Sequence, residues 1–487
     1  MILRTHPTTV HGTLVSRALP EAQLAGGSDV AVNCVTDKFM AVQPGDAFVA
    51  CEDAGDIHAA AKAAVARGAV AVISDRFLPV FGVAQYVVDD ARAAYSQLCH
   101  AILDCPSREL NAVAIAGTHG KTSVAMVLDS ILNVAGRSAA SATNQFTRID
   151  GQRARFVLPT TAPAVAEFLD EALASGCRQA VVELSEDSLR TKVAQAAEFD
   201  VVCLTNLHSH RADANLSPQS SRDTVASALE MLTPTGMAIF NADDQDSMRV
   251  LSEFDGPALT FGLHSPADIT ASIVEKYTNE QVVLLTIGDE SAAVRTKVIG
   301  ETHVANCLAA AAIAKVYGVS LREIAQGIER VTVVPGVMHR FDAGLGVSVF
   351  LDRGNTPIAR GAALTTARGV ATEKVIAVVD HSCSVTEALA DKTVATHGLA
   401  NEHVVTDAVA KVLAALQVSD TKQLRTITEK LTGIALAILS ANEGDVVVVS
   451  GLDSSTARQR RASVSISEAQ MIQSLMYELA AQQKKAA

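Results

Sequence analysis

Lys121, Thr122 and Ser123 directly follow a turn holding two glycines, in the run Ala112-Val113-Ala114-Ile115-Ala116-Gly117-Thr118-His119-Gly120-Lys121-Thr122-Ser123. These residue types at this spacing suit phosphate chemistry. Backbone N–H groups at a helix N-terminus carry partial positive charge and point at an anion. Gly117 and Gly120 leave room for phosphate oxygens near the main chain, with Thr118 and His119 between them. Lys121 can reach the outer phosphates, and the Thr122 or Ser123 hydroxyl can sit on Mg²⁺. A full Walker pattern needs Gly six residues before the lysine, where this chain has Ile115, so the match is to a shortened loop, G-T-x-G-K-[ST]. The alternative is an ordinary glycine turn before a helix.

The elements around the loop favour the phosphate reading. The apolar run before it reads as a strand, and 124–134 reads as a helix. Further strand-length runs follow at 179–184, 200–204 and 237–240, with helical patterns at 164–175 and 222–232 between them. Alternating strand and helix predicts a doubly wound sheet, whose ligands lie at the carboxyl ends of the strands. Glu183 ends one strand and Thr205-Asn206 follows the next, so both fall on the rim that carries the loop. The stretch 258–287 reads as more antiparallel, and 302–317 as an amphipathic helix.

The same alternation marks the flanks. Residues 1–108 read as a small α/β domain with strands near 47–50, 69–73 and 86–88 and helices at 58–67 and 91–103. Cys105-Pro106-Ser107 breaks that pattern, and Val333-Val334-Pro335-Gly336 breaks the next. The expected division is 1–108, a central ATP-binding domain over 109–333 and a Rossmann-like domain over 334–487. The last has strands at 347–351, 375–380 and 445–450, a helix at 465–479 and a frayed tail from Gln482.

Composition fits this α/β class. The chain has 487 residues, 49% of them apolar, with 4% aromatic and no tryptophan, which suits Ala- and Val-rich parallel strands covered by helices on both faces. A net charge of −13 with mixed signs argues against a nucleic-acid groove or an anionic membrane surface. The cysteines (34, 51, 99, 105, 177, 203, 307 and 383) form no C-x-x-C pair, and read as buried free thiols. No apolar run reaches membrane length and no signal segment opens the chain, so a cytoplasmic protein is expected.

The order of these pieces resembles the Mur ligases, the ATP-dependent amino-acid ligases of peptidoglycan synthesis, and within them the branch adding the third residue of the stem peptide. The likeness runs nearly end to end. Besides the loop, Val42 to Ala50 resembles the family's "v-x-P-G-D-l-F-v-A", Pro159-Thr160-Thr161-Ala162-Pro163 its T-T-P segment, and Val182-Glu183-Leu184-Ser185 its "E-v-S-S" strand end. Thr205-Asn206-Leu207 resembles "T-N-L", Phe240 to Asp244 "i-N-a-D-D", and His303 to Ala311 "f-N-v-x-N-x-l-A-A". Val334-Pro335-Gly336 and Asp352 to Pro357 resemble "v-P-G-R-M-E" and "D-Y-A-H-T-P".

The resemblance implies a two-step reaction. A carboxylate on a UDP-muramoyl peptide attacks the γ-phosphate of ATP, and an amine then displaces phosphate from the acyl phosphate. It implies that Lys121 stabilises the migrating phosphoryl group, that Thr122 and Glu183 hold Mg²⁺, and that Asn306 and Asp352 contact the nucleotide. Thr160 and Thr161 would contact the muramoyl substrate. The partners are then small molecules, and a monomer is expected.

The chain also departs from the family. Where "D-H-L-D" follows T-N-L, this chain has His208-Ser209-His210-Arg211-Ala212-Asp213, and an ungapped match puts Arg211, which cannot bind a metal, on the ligand position. His210 or His208 would replace it only after a shift. The family's carbamylated lysine falls on Ala226 or Ser227, and no lysine lies between Thr205 and Gly236. "S-S-H" becomes Ser185-Glu186-Asp187, and "P-G-R-M-E" becomes Pro335-Gly336-Val337-Met338-His339, with Arg340 nearby to compensate. The stacking His becomes Asn355, "G-K-G-H-E" becomes Gly451 to Ser455, "D-S-R" becomes Asp37-Lys38-Phe39, and the D-N-P-R motif that selects diaminopimelate is absent. Three readings follow: an active Mur-type ligase, a degenerate relative that binds nucleotide or muropeptide without turnover, and a folylpolyglutamate synthase-like ligase. The Pro44-Gly45-Asp46 stretch weighs against the last.

Overall fold

The computed structural model describes residues 3–4, 12–51, 56–153, 160–207, 218–342, 346–354, 357–379, 390–395, 409, 421–450 and 468–486. The chain forms two compact units, one of residues 1–270, 286–290 and 306–327, the other of 271–285, 291–305 and 328–487.

The first unit holds two sheets, parallel at their centres with antiparallel strands at the edges. Near the N-terminus, strands β1 (Cys34–Thr36), β2 (Ala47–Val49), β3 (Ala71–Ser74) and β4 (Ala84–Val87) pair in parallel in that order. Helix α1 (Ile57–Ala66) connects β2 to β3, and helix α2 (Ala91–Ile102), which follows β4, packs on the sheet. Each face of this sheet buries its own cluster, Val35, Ala47, Ile73 and Tyr86 on one side and Phe48, Val72 and Leu78 on the other. A parallel sheet covered on both faces needs such two-sided apolar strands.

The second sheet begins with β5 (Asn111–Ala116), which leads through the glycine turn into α3 (Lys121–Val134). It continues with β6 (Ala139–Ala142), α4 (Ala162–Ala174), β7 (Gln179–Leu184), β8 (Phe199–Leu204), α5 (Pro218–Ala226), β9 (Leu232–Asn241), α6 (Gln245–Glu253) and β10 (Ala258–Gly262). Within an 11-stranded sheet these strands lie in the order β6-β7-β5-β8-β9-β10, all parallel to one another. Of the stretch 258–287, expected to be more antiparallel, β10 instead extends the parallel sheet, with Phe261 and Gly262 parallel to Ile269 and Thr270. Strands Ile269–Lys276 and Gln281–Ile287 are sheet neighbours joined by the tight turn at Tyr277–Glu280, as in a hairpin. Ala112, Ala114 and Ala116 face the cluster containing Val165, Phe168 and Leu169 of α4, so the alternating alanines let that helix sit close. Residues Ala162 and Ala166 of α4 also join the core of the N-terminal sheet with Tyr95 and Leu98 of α2.

Helix α7 (Leu321–Arg330) crosses α3 where Gly327 meets Ile131; a Cβ on Gly327 would lie 2.4 Å from the Ile131 Cα. Ser130 donates its hydroxyl proton to the Gly327 carbonyl at 2.7 Å across this crossing.

The second unit is also α/β. Strand Ser348–Asp352 pairs in parallel with Val446–Ser450, which pairs in parallel with Val375–Val379, and that in turn with Lys392–Ala395. Strand His339–Phe341 closes one edge in antiparallel fashion. The tail expected to fray from Gln482 is instead helical, within Glu468–Ala486, whose Ile472, Leu475, Met476 and Leu479 are buried. Its apolar stripe anchors the helix, and the polar end simply continues the same hydrogen-bond ladder. The seven described cysteines are free thiols, all buried except the half-buried Cys105; Cys383 lies outside the described residues. No helix among the described residues is long and apolar enough to cross a membrane.

Candidate active site

Register places the site. Leu184 of β7 and Leu204 of β8 both lie opposite Ala116 of β5. The residues just beyond these strand ends therefore share one rim. β5 is the strand about which the order reverses, with β7 on one side and β8 on the other, which is where open α/β sheets bind ligands.

The glycine turn leaves β5 at this point. Gly117 has φ +140°, and a Cβ there would lie 2.1 Å from Thr205 Oγ1. Gly120 has φ +84°, and a Cβ there would lie 2.2 Å from Asn306 Oδ1. Both positions need glycine for conformation and for space. Gly120 is the cap residue of α3 and offers no side chain to the helix. The first turn of α3 therefore presents N–H donors without a side-chain cap, which makes an anion site.

Lys121 folds back over the turn, donating from Nζ to the Gly117 carbonyl at 2.6 Å and the Thr118 carbonyl at 3.4 Å. Burial pushes its ammonium below the usual lysine range, and the Glu183 and Glu186 carboxylates oppose that shift. Thr122 directs its hydroxyl to Glu183 Oε2 at 2.7 Å, while Ser123 is buried in the helix.

Glu183 is only 2% exposed, and its burial is sustained by donors on both oxygens. Besides Thr122, the Asn144 backbone N–H donates to Oε2 at 3.0 Å and Asn144 Nδ2 donates to Oε1 at 2.8 Å. Asn144 escapes a reading of the sequence. Its one signal is its place just past the end of β6, on the same rim.

Thr122 Oγ1 and Glu183 Oε2 form a hard oxygen pair that fits Mg²⁺. Among the described residues no group of three or more His, Cys, Asp or Glu side chains could hold a metal. A cation at this pair would complete its shell with water and phosphate oxygens, the usual habit of Mg²⁺.

On the β8 side, Asn206 Oδ1 accepts from the N–H groups of Thr118 at 3.2 Å and His119 at 3.1 Å. Asn206 Nδ2 and Thr205 Oγ1 both donate to the His119 carbonyl, at 3.0 and 2.6 Å. Asn241 Nδ2 donates to the Thr205 carbonyl at 2.9 Å, and the Asp244 carboxylate accepts from the Leu207 N–H. The Asn-Ala-Asp-Asp motif thus holds the strand end that holds the loop. Asp243 accepts three backbone N–H groups, of Leu263, His264 and Ser265, and these keep its carboxyl below the usual range against the opposing effect of burial.

Asn306 is buried and lies against the loop at Gly120. Thr161 caps α4, accepting from the Ala164 N–H at 3.4 Å, and Thr160 beside it is exposed. Ser185 caps the short helix Glu186–Arg190. Ala226 ends α5, and Ser227 donates to the Thr224 carbonyl at 2.7 Å. His210 and the rest of 208–217 lie outside the described residues, as do Asn355 and 451–467. In the second unit, Asp352 accepts from the Met338 N–H at 3.1 Å and the Gly354 N–H at 2.9 Å. Burial raises its carboxyl pKa, and those two bonds oppose the rise. Arg340 donates to Asp342 at 3.2 Å.

The comparisons with known proteins bear on the fold that carries this arrangement. Residues 115–314 match the family model of the Mur ligase middle domain. The chain is 27% identical over 463 residues to a UDP-N-acetylmuramoyl-L-alanyl-D-glutamate–2,6-diaminopimelate ligase from Geobacillus thermodenitrificans, covering 90% of this chain and 93% of that one. Among solved structures, a ligase of the same name superposes with a TM-score of 0.69 at 18% identity, covering 90% of this chain and 93% of that one. The MurF ligase of Thermotoga maritima in complex with ADP superposes with a TM-score of 0.57 at 17% identity, covering 92% and 98%. The central part of this chain is thus similar to the Mur ligase middle domain, and the chain as a whole has the α/β fold of the Mur ligases.

Proposed function

We propose that this protein is an ATP-dependent amide ligase of the Mur type, which joins an amino acid to a UDP-N-acetylmuramoyl peptide and releases ADP and phosphate. The observation that carries the reading is the uncapped start of α3 with the Thr122–Glu183 pair beside it, both on the rim of the switch strand. Relatives similar over nine-tenths of the chain carry the ligase name. We take 1–108 as the substrate-binding domain, 109–333 as the ATP domain and 334–487 as the C-terminal domain, in a cytoplasmic monomer.

The chain's own groups supply positioning and charge. The N–H donors of the first turn of α3 receive the phosphates. Lys121 leaves the Gly117 carbonyl for the outer phosphate and neutralises charge as the γ-phosphoryl group moves to the substrate carboxylate. Thr122 and Glu183 would hold Mg²⁺, with Asn144 fixing the Glu183 carboxylate. When bound, Mg²⁺ neutralises the phosphate oxygens and orients them. Asn306 stands beside the loop to meet the nucleotide, and Asp352 and Arg340 serve it from the C-terminal domain. Thr160 and Thr161, at the start of α4, meet the muramoyl substrate.

The test is turnover. Full-length protein with ATP, Mg²⁺ and UDP-N-acetylmuramoyl dipeptide is given diaminopimelate, lysine or ornithine, and ADP and the peptide product are measured. ADP release that needs both acid and amine is expected, and Lys121→Ala should lower it by about a thousandfold or more. A second reading, nucleotide binding without turnover, is favoured by the absence of lysine between Thr205 and Gly236. Mg²⁺-dependent ADP binding with no product from any amine would select it.

A further inference from the structure

We propose that Asn206, helped by Thr205, is a positioning residue that holds the phosphate loop in its binding shape from behind. The inference rests on the nucleotide-binding reading above. A loop this short cannot satisfy its own backbone, because Gly117 and Gly120 bring no side chains to it. Asn206 supplies what is missing. Its Oδ1 accepts from the Thr118 and His119 N–H groups, its Nδ2 donates to the His119 carbonyl at 3.0 Å, and its own carbonyl also accepts from the Thr118 N–H at 3.2 Å. Thr205 adds a 2.6 Å bond to the same His119 carbonyl, and its hydroxyl is what a Cβ on Gly117 would strike.

These contacts all fall on the Thr118–His119 segment. The donors at the start of α3 are not among them, so the side of the loop tied to β8 is consumed and the side facing the ligand stays open. The anchor is itself fixed, by Asn241 on the Thr205 carbonyl and Asp244 on the Leu207 N–H. Asn206 is thus a rigid template on a strand end, which suits a role in preorganising an anion site.

The experiment compares wild type with Asn206→Ala and Thr205→Val in the full chain. It reads ADP affinity with Mg²⁺ by calorimetry, backbone amide exchange over residues 117–120, and the melting temperature. For Asn206→Ala we expect ADP affinity to fall about tenfold, roughly the loss of one to two net hydrogen bonds. Amide exchange at 118 and 119 should rise in the free protein and return towards wild type once ADP saturates the site. A merely structural role would lower the melting temperature and leave the affinity of the folded fraction unchanged. Thr205→Val, nearly isosteric, should lower affinity about threefold and decides the matter if Asn206→Ala does not fold. Wild-type affinity and exchange in a folded variant would overturn the proposal. Failure of the wild type itself to bind ADP would instead overturn the nucleotide reading, and the inference with it.

Discussion

One helix start in the first unit differs from four others there. In the N-terminal sheet, Asp56 accepts from the Ala59 N–H at 3.1 Å to cap α1, and Asp90 accepts from the Arg92 and Ala93 N–H groups at 2.8 and 3.0 Å to cap α2. In the central sheet, Thr161 caps α4 and Asp244 caps α6. Helix α3 alone among these has glycine at the cap and no side-chain hydrogen bond capping its first turn. A carboxylate cap satisfies the donors from within and stabilises the fold; a glycine cap leaves them for a ligand. The same strand-turn-helix unit is therefore a structural joint in one place and the proposed anion site in the other, and the residue type at the cap separates them.

Changing those caps should separate the two roles. The largest effect is expected from Gly120→Ala, where the added Cβ meets Asn306 Oδ1 and the positive φ is strained. ADP affinity should fall by about a hundredfold or more, read by calorimetry. Glu183→Gln should come next. It keeps the shape but removes the charge beside Thr122, so the gain in ADP affinity from Mg²⁺ should shrink by about tenfold or more in a magnesium titration.

The capped side should answer to acid instead. His100 on α2 is buried, with neither ring nitrogen hydrogen-bonded among the described residues, and burial lowers its pKa to about 4. Protons then favour the unfolded chain between its ordinary pKa of 6.5 and about 4. Stability is intact above that window and falls by roughly 3 kcal/mol as pH drops through it. His100→Leu should remove that part of the slope in denaturant titrations from pH 7 to 4. The smallest effect belongs to Asp90→Ala, which should cost about 1 kcal/mol of stability while leaving ADP affinity unchanged. A loss of ADP binding there would break the distinction between the two kinds of cap.

What the sequence shows and hides follows from the range of the interactions. The loop, the strand before it and the helix after it are local, and Gly117, Gly120, Lys121 and Thr122 are legible from spacing alone. Glu183 is legible as a strand end because strand length and apolarity mark β7. The hold of Asn144 on Glu183 and of Asn206 on His119 spans 39 and 87 residues, and no periodic pattern records either. The parallel pairing of β10 escapes for a similar reason. Its burial does not alternate, running from half-buried Ala258 to buried Gly262, and only its partners β9 and Ile269–Thr270 fix its direction. Helix α7 has clear amphipathic spacing, but Gly327 in its middle masks it, and that glycine is explained only by the close approach of Ile131.

The most direct measurement is a crystal structure of the full chain with a non-hydrolysable ATP analogue and Mg²⁺. The phosphates should lie on the N–H groups at the start of α3, with Lys121 turned from the Gly117 carbonyl to the outer phosphate and the metal between Thr122 and Glu183. A nucleotide bound away from α3, or a loop that keeps Lys121 on Gly117 with the analogue present at saturating concentration, would contradict the account.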